Sequence, residues 1–495
     1  MRRLLLPLAI LLAACGGGGG GGGGPPASGP LDVVRSVDPA PGADGVDPAG
    51  VVVTIEFRTP MDPDTLVGGT LLLTPAGSTA PVAADVAVAF GNMSATLTPR
   101  GPLTADRHYQ VRLSEQARLQ GGREIRRPWY SLFRTGGGAP PPPPPPPQTG
   151  SVFAAAALET GRSGHAAVLL ADGRVAVFGG FATSSTVTDS IEVYDPAAEA
   201  WTTAPGVLNP ARARLTATRL QDGRVLLAGG ETASTTDVGV DRWEIWDPAT
   251  GGIATSGTLA ERRTRHRAVG LADGTVLLIG GARTDASGAP LYSRSSVERF
   301  DPSAPGSSAA PAMGVSRAGH EATLLADGRV LVTGGHGSSL TAEVRDASTG
   351  AWSAAGAMTQ ARRDHAAALL LDGSVLVAGG GTFTAELWVP AAGAFYPLQN
   401  MGDTRSLHTA LRIASGRVFV AGGEKPTFGG GLFFHTATEF YNPSTGSFLF
   451  PNLPSRVGRS GHTATLMATG DVLVVGGKSP TVGTPAVRLC DRFQF

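Results

Sequence analysis

From residue 161 onward, short apolar runs alternate with tight turns in a pattern that returns every 43 to 54 residues. Each copy has an arginine, usually a histidine three residues later, an apolar run, a turn, a second apolar run and a Gly-Gly pair. The seven pairs begin at Gly179, Gly229, Gly280, Gly334, Gly379, Gly422 and Gly476. A near-constant period of this size predicts a repeat architecture.

Most copies contain four strand signals. The first two flank a turn such as Asp172-Gly173, and a two-residue Asp-Gly loop with both residues at positive φ is a strong hairpin signal. The third strand ends at Asp195-Pro196 or its equivalent, because proline lacks the N–H that a ladder needs. The fourth begins at an aromatic residue such as Trp201. Four antiparallel strands in about 50 residues, repeated along the chain, predict the blades of a propeller.

The seventh copy has only three of these strands before Phe495. A segment near residues 151–158, ahead of the first copy, has the pattern of a fourth strand. We expect it to complete the seventh blade, which would remove an unpaired edge. In this alignment Cys490 takes the position of Tyr194, and Arg488 takes the position of a glutamate in the other copies.

Residues 31–135 follow a different pattern. Val53, Ile55 and Phe57 alternate with Thr54 and Glu56, which is the period of a half-buried strand. About 100 residues of short strands separated by turns predict a β-sandwich. The chain is therefore expected to be all-β, with an N-terminal sandwich at 31–135 and a seven-bladed propeller at 151–495.

The N-terminus has the pattern of an export signal, with two arginines followed by a short apolar stretch. Leu12-Ala13-Ala14-Cys15 resembles the lipobox of bacterial lipoproteins. That resemblance implies cleavage before Cys15 and acylation of its sulfur and amine, which would anchor the protein to a membrane. Gly16 after the cysteine resembles the signal for sorting to the outer membrane, where the protein would face the periplasm or the exterior.

Low-complexity segments separate the signal from the sandwich and the sandwich from the propeller. Residues 1–15 are predicted to be the lipoprotein signal, and residues 16–30 a glycine-rich tether. Residues 136–150 contain eight consecutive prolines, which favour polyproline II with a length of about 25 Å. A spacer role is expected for this run.

Two family resemblances follow from these motifs. The repeats resemble the kelch motif in the Gly-Gly pair, in Tyr194-Asp195-Pro196 and in Trp201. Residues 31–135 resemble the bacterial Ig-like domain of surface-layer proteins, for example in Phe133-Arg-Thr135. Kelch propellers serve as binding platforms, as scaffolds and, in galactose oxidases, as enzymes, so the resemblance implies a fold and leaves the function open.

Charge and cysteine content narrow the classes of partner. The chain has 40 basic and 40 acidic residues, interspersed, which does not indicate a nucleic-acid interface or a basic membrane-binding face. Lys425 and Lys478 are the only lysines. Once Cys15 is acylated, Cys490 has no cysteine left to pair with, and it is expected to be a small buried side chain.

Three residue types recur at equivalent positions in the copies, and we interpret them as scaffold. Buried charges are normally paired, so Arg–Glu pairs and histidine hydrogen bonds are expected at buried strand ends. The arginines are Arg162, Arg212, Arg263, Arg317, Arg362, Arg405 and Arg459. The histidines are His165, His266, His320, His365, His408 and His462, with Leu215 in the second copy. The glutamates are Glu192, Glu244, Glu298, Glu343, Glu386 and Glu439.

Two catalytic alternatives to the scaffold interpretation follow from the same residues. A ring of histidines could bind a metal, but equivalent positions in separate blades are too far apart to converge on one ion. A galactose oxidase would imply copper held by Tyr and His with a Tyr-Cys crosslink. Tyr194 and Tyr441 occupy a packing position of the repeat, and Cys490 lies in the final strand. We therefore expect no cofactor, no metal and no enzymatic activity.

Function is expected where the copies differ, which is the loop after the Gly-Gly pair. The loop from Glu424 to Thr438 is long and carries Phe428, Leu432, Phe433 and Phe434 among glycines. An apolar group on a long loop could anchor a protein or carbohydrate partner, or the rings could lie buried between blades. The sequence thus favours a lipid-anchored, non-catalytic binding protein, with a galactose-oxidase-like enzyme or a purely architectural envelope component as alternatives.

Overall fold

The computed structural model describes residues 33–136 and 150–495, apart from gaps at 40–42, 44, 76–79, 90, 106, 115, 126–128, 184–185, 233–238, 285–289, 292, 337–339, 444–445, 452 and 480–485. Cys15, the tether at 16–30 and most of the spacer at 136–150 therefore lie outside the described residues. Within the described ranges, no helix has the length and apolarity needed to cross a membrane.

The N-terminal region forms two antiparallel sheets around one hydrophobic core. The orders are β1-β2-β5-β4 and β3-β6-β7, and a short 3-10 helix spans Pro63–Thr65. As predicted, Val53, Ile55 and Phe57 are buried while Glu56 is exposed. The strands are β1 (Val34–Asp38), β2 (Val53–Phe57), β3 (Leu71–Pro75), β4 (Ala84–Val88), β5 (Ser94–Pro99), β6 (His108–Leu113) and β7 (Trp129–Arg134).

The C-terminal region consists of short strands that recur in each copy. The first half comprises β8 (Ser151–Ala155), β9 (Ala166–Leu169), β10 (Val175–Phe178), β11 (Ser190–Asp195), β12 (Ala200–Val207), β13 (Thr216–Arg219), β14 (Val225–Ala228), β15 (Val240–Asp247), β16 (Gly252–Arg263), β17 (Arg267–Gly270), β18 (Val276–Ile279), β19 (Arg283–Thr284), β20 (Pro290–Leu291), β21 (Val297–Asp301), β22 (Gly306–Ala310) and β23 (Glu321–Leu324). The second half comprises β24 (Val330–Thr333), β25 (Thr341–Arg345), β26 (Trp352–Ala357), β27 (Ala366–Leu369), β28 (Val375–Ala378), β29 (Ala385–Val389), β30 (Ala394–Pro397), β31 (Thr409–Arg412), β32 (Val418–Ala421), β33 (Glu424–Pro426), β34 (Leu432–Phe434), β35 (Thr438–Asn442), β36 (Ser447–Leu449), β37 (Thr463–Leu466), β38 (Val472–Val475) and β39 (Cys490–Gln494).

In the described part of residues 150–495 these strands build seven four-stranded antiparallel sheets. Six come from one copy of the repeat each, and the seventh combines three strands of the last copy with β8. Two copies carry an extra two-stranded hairpin between their second and third strands, β19–β20 in the third copy and β33–β34 in the sixth. The second strand of each sheet is buried along its whole length. These apolar runs therefore face neighbouring sheets on both sides.

Consecutive sheets pack face to face, and the seventh packs against the first. Each hydrophobic cluster combines residues of two successive copies. The cluster between the last and first copies contains Leu473 and Val475 together with Val175, Val177 and Tyr194. The first strands follow the same cyclic order, with β37 next to β9.

The N-terminal strand of this region completes the last sheet, as the sequence predicts. β8 pairs with β39 from Ser151 opposite Gln494 to Ala155 opposite Cys490. The predicted alignment of the seventh copy is wrong by three residues. Cys490 pairs with Val475, so it takes the position of Ile191 rather than that of Tyr194.

The hairpin between the first two strands is confirmed, but its predicted loop is too short. The Leu170 N–H donates to the Arg174 carbonyl, so three residues form the loop. Gly173 has φ of 88°, whereas Asp172 is not at positive φ. A three-residue loop that ends in a left-handed glycine is the next most common hairpin connection, and it needs only one residue at positive φ.

Candidate functional site

The seven recurring arginines hold the strand ends of each sheet together. Their side chains are at most 1% exposed, and each forms an ion pair of 2.5–2.9 Å with a carboxylate on the third strand. In six copies the guanidinium also donates to the carbonyl of the first glycine of the pair, at 2.6–3.1 Å. The predicted Arg–Glu pairs are present in six copies. In the seventh, Asp491 replaces the glutamate because of the corrected alignment.

The recurring histidines are buried and uncharged at neutral pH. Burial, together with the neighbouring Arg162, lowers the pKa of His165 to about 3. The rings of His165, His266, His365 and His462 each share a hydrogen bond of 2.8–3.1 Å with a threonine. Each of the six histidines precedes the first strand of a different sheet, and among the described residues they form no group arranged to hold a metal ion.

The Gly-Gly pairs join each sheet to the next. The N–H of the second glycine donates to the carbonyl of the recurring arginine in the following copy at 2.7–2.9 Å, and Gly477 of the seventh copy donates to Arg162 of the first. The first glycine has no room for a side chain. A Cβ on Gly334, which has φ of 61°, would lie 2.4 Å from the Arg362 carbonyl oxygen.

A ring of hydrogen bonds between neighbouring copies, which sequence reasoning missed, involves the residue before each histidine and, in the second copy, the residue before Leu215. Seven residues at this position have φ between 50° and 62°, and four of them are not glycine. Six of their N–H groups donate to the carbonyl of the equivalent residue in a neighbouring copy at 2.7–3.0 Å. The residues are Gly164, Arg214, Arg265, Gly319, Asp364, Leu407 and Gly461. The three glycines at this position were the available sequence signal.

This ring lies on one face of the assembled sheets, which we call the loop face. Isolated bridges join the residue after the recurring arginine to the residue after the Gly-Gly pair, for example Ser163 to Phe181 and Ser460 to Lys478. The loops between second and third strands therefore emerge on this face. The Asp-Gly hairpins lie at the opposite end of the sheets.

The second copy places a charge cluster on the loop face. Glu231 is fully buried and accepts from the Arg214 guanidinium at 2.6 Å and from the Thr264 hydroxyl at 3.0 Å. Burial raises the pKa of Glu231, although Arg214 and Arg265 act in the opposite direction. The Arg214 guanidinium also lies 5.1 Å from the centre of the Phe181 ring. This is the copy in which Leu215 replaces the histidine.

The sixth copy carries the predicted partner-binding residues on the hairpin β33–β34, which we call the aromatic hairpin. Phe428 is fully exposed, and Leu432 and Phe433 are 40% and 47% exposed. Phe434 is only 8% exposed, so for this residue the structure agrees with the alternative of a buried ring. Successive side chains on a strand point to opposite faces, so Phe434 points inward where Phe433 points outward. The Phe434 ring lies under Lys478.

Charged side chains surround the base of the aromatic hairpin. Lys425 pairs with Asp403 and lies 5.3 Å from the centre of the Phe433 ring. Lys478 lies 5.7 Å from the centre of the Phe434 ring and 3.9 Å from the Glu424 carboxylate. Both lysines of the chain therefore lie at this one hairpin.

A cavity lies at the opposite end of the sheets, between the first two copies. Its volume is about 260 Å³. The ion pairs Arg174–Asp172 and Arg224–Asp222 line it, and each joins residues of one hairpin loop. These charges satisfy one another locally and are partly exposed, so they leave little binding capacity for a ligand.

Among the described residues, no group of three or more His, Cys, Asp or Glu side chains is arranged to hold a metal ion. Cys490 is buried, and burial raises the pKa of its thiol to about 11. Its expected role as a small buried side chain agrees with this environment.

Comparison with known proteins identifies the two parts of the chain. Residues 28–127 match the model of the bacterial Ig-like domain. Residues 162–207 match the model of the kelch motif. The prediction of an Ig-like domain followed by kelch repeats is confirmed. No curated protein matches the chain.

One solved structure with a similar fold is a fungal alcohol oxidase of the AA5 family, in complex with copper. It is 17% identical in sequence, with a TM-score of 0.56, and the match covers 70% of this chain and 76% of that one. At this identity the likeness concerns the fold alone. Together with the kelch motif it supports a β-propeller for the repeats.

Proposed function

We propose that this protein is a non-catalytic, lipid-anchored protein of the bacterial outer membrane whose kelch repeats form a closed seven-bladed propeller. The Ig-like domain would act as a spacer, and the loop face would bind a protein or glycan partner. The observation that carries this proposal is the contrast on that face. The arginines that recur in every copy are buried and paired, whereas the aromatic hairpin is found only in the sixth copy within the described ranges and exposes Phe428 and Phe433.

An exposed aromatic hairpin is a suitable contact site for a partner. Aromatic side chains are enriched among the residues that contribute most to binding, because they bury a large apolar area with few rotatable bonds. Asp403, Lys425 and Lys478 supply polar groups around the rings. The site therefore combines an apolar centre with a charged rim, as binding interfaces do.

The related fold of a copper oxidase raises the alternative of an enzyme of that type. The residues present do not fit a copper site. Tyr194 and Cys490 lie in the hydrophobic cluster between the first and seventh sheets, and Tyr441 lies in the cluster between the fifth and sixth. Among the described residues, no group of three or more His, Cys, Asp or Glu side chains accompanies them to hold a metal ion. The buried histidines also belong to separate sheets.

Two experiments test the proposed function. In the first, the protein is purified from its native envelope with Phe428 and Phe433 both changed to Ser, and Leu371→Ser serves as the control. Leu371 is 75% exposed at the opposite end of the sheets. A specific partner should be retained by the wild type and the control, and lost about tenfold or more in the double variant. Equal recovery in all three would favour an architectural role.

The second experiment measures metal content and oxidase activity of the purified protein. We expect copper well below one ion per chain, and no peroxide formation with sugar alcohols. Stoichiometric copper together with oxidation of a sugar alcohol would overturn the proposal in favour of an oxidase.

A further inference from the structure

The aromatic hairpin projects away from the rest of the described chain. At its tip, the Thr427 N–H donates to the Gly431 carbonyl at 2.9 Å and the Gly430 N–H donates to Thr427 at 3.1 Å, which closes a compact turn. No atom lies within 4 Å of the position that a Cβ would take on Gly429 or Gly430. Phe428 beside them is fully exposed. The tip is therefore convex, and it cannot enclose a small ligand.

Phe428 and Leu432 lie farther out along the hairpin than its charged groups. Phe433 lies opposite Lys425, at the level of the charged groups. The charged groups lie at the base, where Lys425 pairs with Asp403 and Lys478 approaches Glu424. An apolar end followed by long cationic side chains is the order of groups that a membrane interface accommodates, because lysine keeps its ammonium at the headgroup level.

The lysines are informative because the chain otherwise uses arginine. Of its 40 Lys and Arg residues, all but Lys425 and Lys478 are arginines. Asp403 and Glu424 balance these two ammonium groups. The base of the aromatic hairpin thus carries two ammonium and two carboxylate groups. This arrangement is complementary to zwitterionic headgroups, each of which carries one charge of each sign. It does not require an excess of anionic lipid.

We propose that the tip of the aromatic hairpin, from Phe428 to Leu432, inserts into the outer part of a phospholipid bilayer, with Lys425 and Lys478 at the headgroup level. This inference rests on the proposed function in taking the protein to be held at a membrane. It departs from the proposed function in one respect, because the hairpin contacts lipid here, and capture of a protein or glycan by the hairpin is an outcome that the test below distinguishes. The loop face would then be turned toward the membrane.

The hairpin orients the protein rather than recruiting it. Three apolar side chains offer less apolar surface than one long acyl chain, and a single acyl chain by itself binds membranes only marginally and reversibly. For a chain already tethered to the same membrane, insertion becomes an intramolecular step with a high effective concentration. A weak contact is then sufficient to fix orientation.

Depth-dependent fluorescence quenching tests this inference. The full chain carrying Phe428→Trp is held on phosphatidylcholine vesicles whose acyl chains are brominated, and Leu371→Trp is the matched control at the opposite end of the sheets. The wild-type chain has six tryptophans, so its emission under the same conditions is subtracted to obtain that of the introduced indole. In one arm the native lipid anchors the protein, and in a second arm an N-terminal histidine tag binds a chelating lipid. Flotation with the vesicles in the first arm reports separately on native anchoring.

In the Phe428→Trp variant, we expect bromine to quench about half or more of the emission from the introduced indole in both arms and to leave the control unchanged, because only an inserted ring approaches the acyl chains. Leu432→Asp in the Phe428→Trp background should reduce the quenching severalfold. Raising the salt concentration or adding phosphatidylglycerol should change the quenching little, since the charges at the base are balanced.

Equal emission at position 428 with and without bromine in both arms would overturn the inference. Capture of a protein or glycan by the hairpin, in the absence of quenching, would overturn it as well. Failure of flotation alone would count against native anchoring and not against insertion.

Discussion

The recurring strand ends and the aromatic hairpin show two different uses of charged and aromatic side chains in one domain. At the strand ends, every recurring arginine is buried and bound to a carboxylate, as Arg362 is to Glu386 at 2.8 Å. At the hairpin, Lys425 and Phe433 remain partly exposed. In this comparison the recurring side chains are buried and paired, whereas the hairpin, which departs from the repeat, keeps its side chains partly exposed.

The choice between arginine and lysine follows the same division. A guanidinium can donate in several fixed directions, so Arg362 reaches the Gly379 carbonyl, the Thr384 carbonyl and hydroxyl, and Glu386 together. An ammonium on a flexible stem cannot span that set in one geometry. Lysine is suitable for the exposed hairpin, where its ammonium lies over an aromatic face.

The largest effect on stability is expected from removing one recurring arginine. Arg362→Ala leaves Glu386 buried without its charged partner, and breaking a buried pair in this way costs about 3–5 kcal/mol. Arg174→Ala, at an exposed pair with Asp172, should cost about 0–1 kcal/mol. Denaturant unfolding measures both. Similar losses for the two variants would remove the distinction between scaffold and surface charges.

The buried histidines predict a loss of stability in acid. Burial and Arg405 lower the pKa of His408 to about 3, whereas an unfolded histidine titrates near 6.5. The unfolded chain therefore binds more protons below pH 6.5, so this contribution is complete above that pH and declines as the pH falls toward 3. His408→Leu, which copies Leu215, should reduce the loss between pH 6.5 and 4.5 by about 2–3 kcal/mol. Unfolding curves with the same pH slope as wild type would contradict this.

Two glycines at positive φ separate backbone strain from packing. Gly373→Ala has open space around the new Cβ and should cost about 1 kcal/mol for the left-handed conformation alone. Gly334→Ala also places its Cβ against the Arg362 carbonyl, and crowding should add about 1–3 kcal/mol. The difference between the two unfolding free energies tests whether the Gly-Gly pair is needed for the close approach of one sheet to the next.

The smallest stability change is expected at the aromatic hairpin. Phe428→Ser removes a fully exposed ring, so the unfolding free energy should stay within about 0.5 kcal/mol of wild type. Phe434→Ser, at the buried position of the same hairpin, should cost more because its ring lies under Lys478. Equal and large losses would show that the whole hairpin is structural.

The repeat period and strand patterns were sufficient to predict the sheets and the pairing of Arg162 with Glu192. These features depend on local sequence and on the rule that buried charges are paired. The alignment of the seventh copy was not predictable, because Asp491 stands where the other copies have glutamate and the loop before it differs in length. Only the observed pairing of β38 with β39 corrects it.

The contacts that depend on three-dimensional closeness were also missed. Arg214, Asp364 and Leu407 adopt a left-handed conformation that their side chains do not favour. Hydrogen bonds to equivalent residues in neighbouring copies hold them there. Such bonds join residues about 50 positions apart and have no local sequence signal except the glycines at the same position. The burial of Phe434 likewise depends on Lys478 from the next copy.

Closure of the ring by β8 and β39 is tested most directly with an engineered disulfide. Phe153 and Arg492 are paired residues of these strands, so cysteines at both positions should form a bond, since paired Cα atoms lie within disulfide range. The native Cys490 should not compete, because it is buried and its thiol pKa is raised to about 11. The control combines Phe153→Cys with Arg299→Cys, the equivalent position in the third sheet. Near-complete oxidation of the first pair with none in the control is the expected result, and absence of the 153–492 crosslink in folded protein would contradict a closed ring.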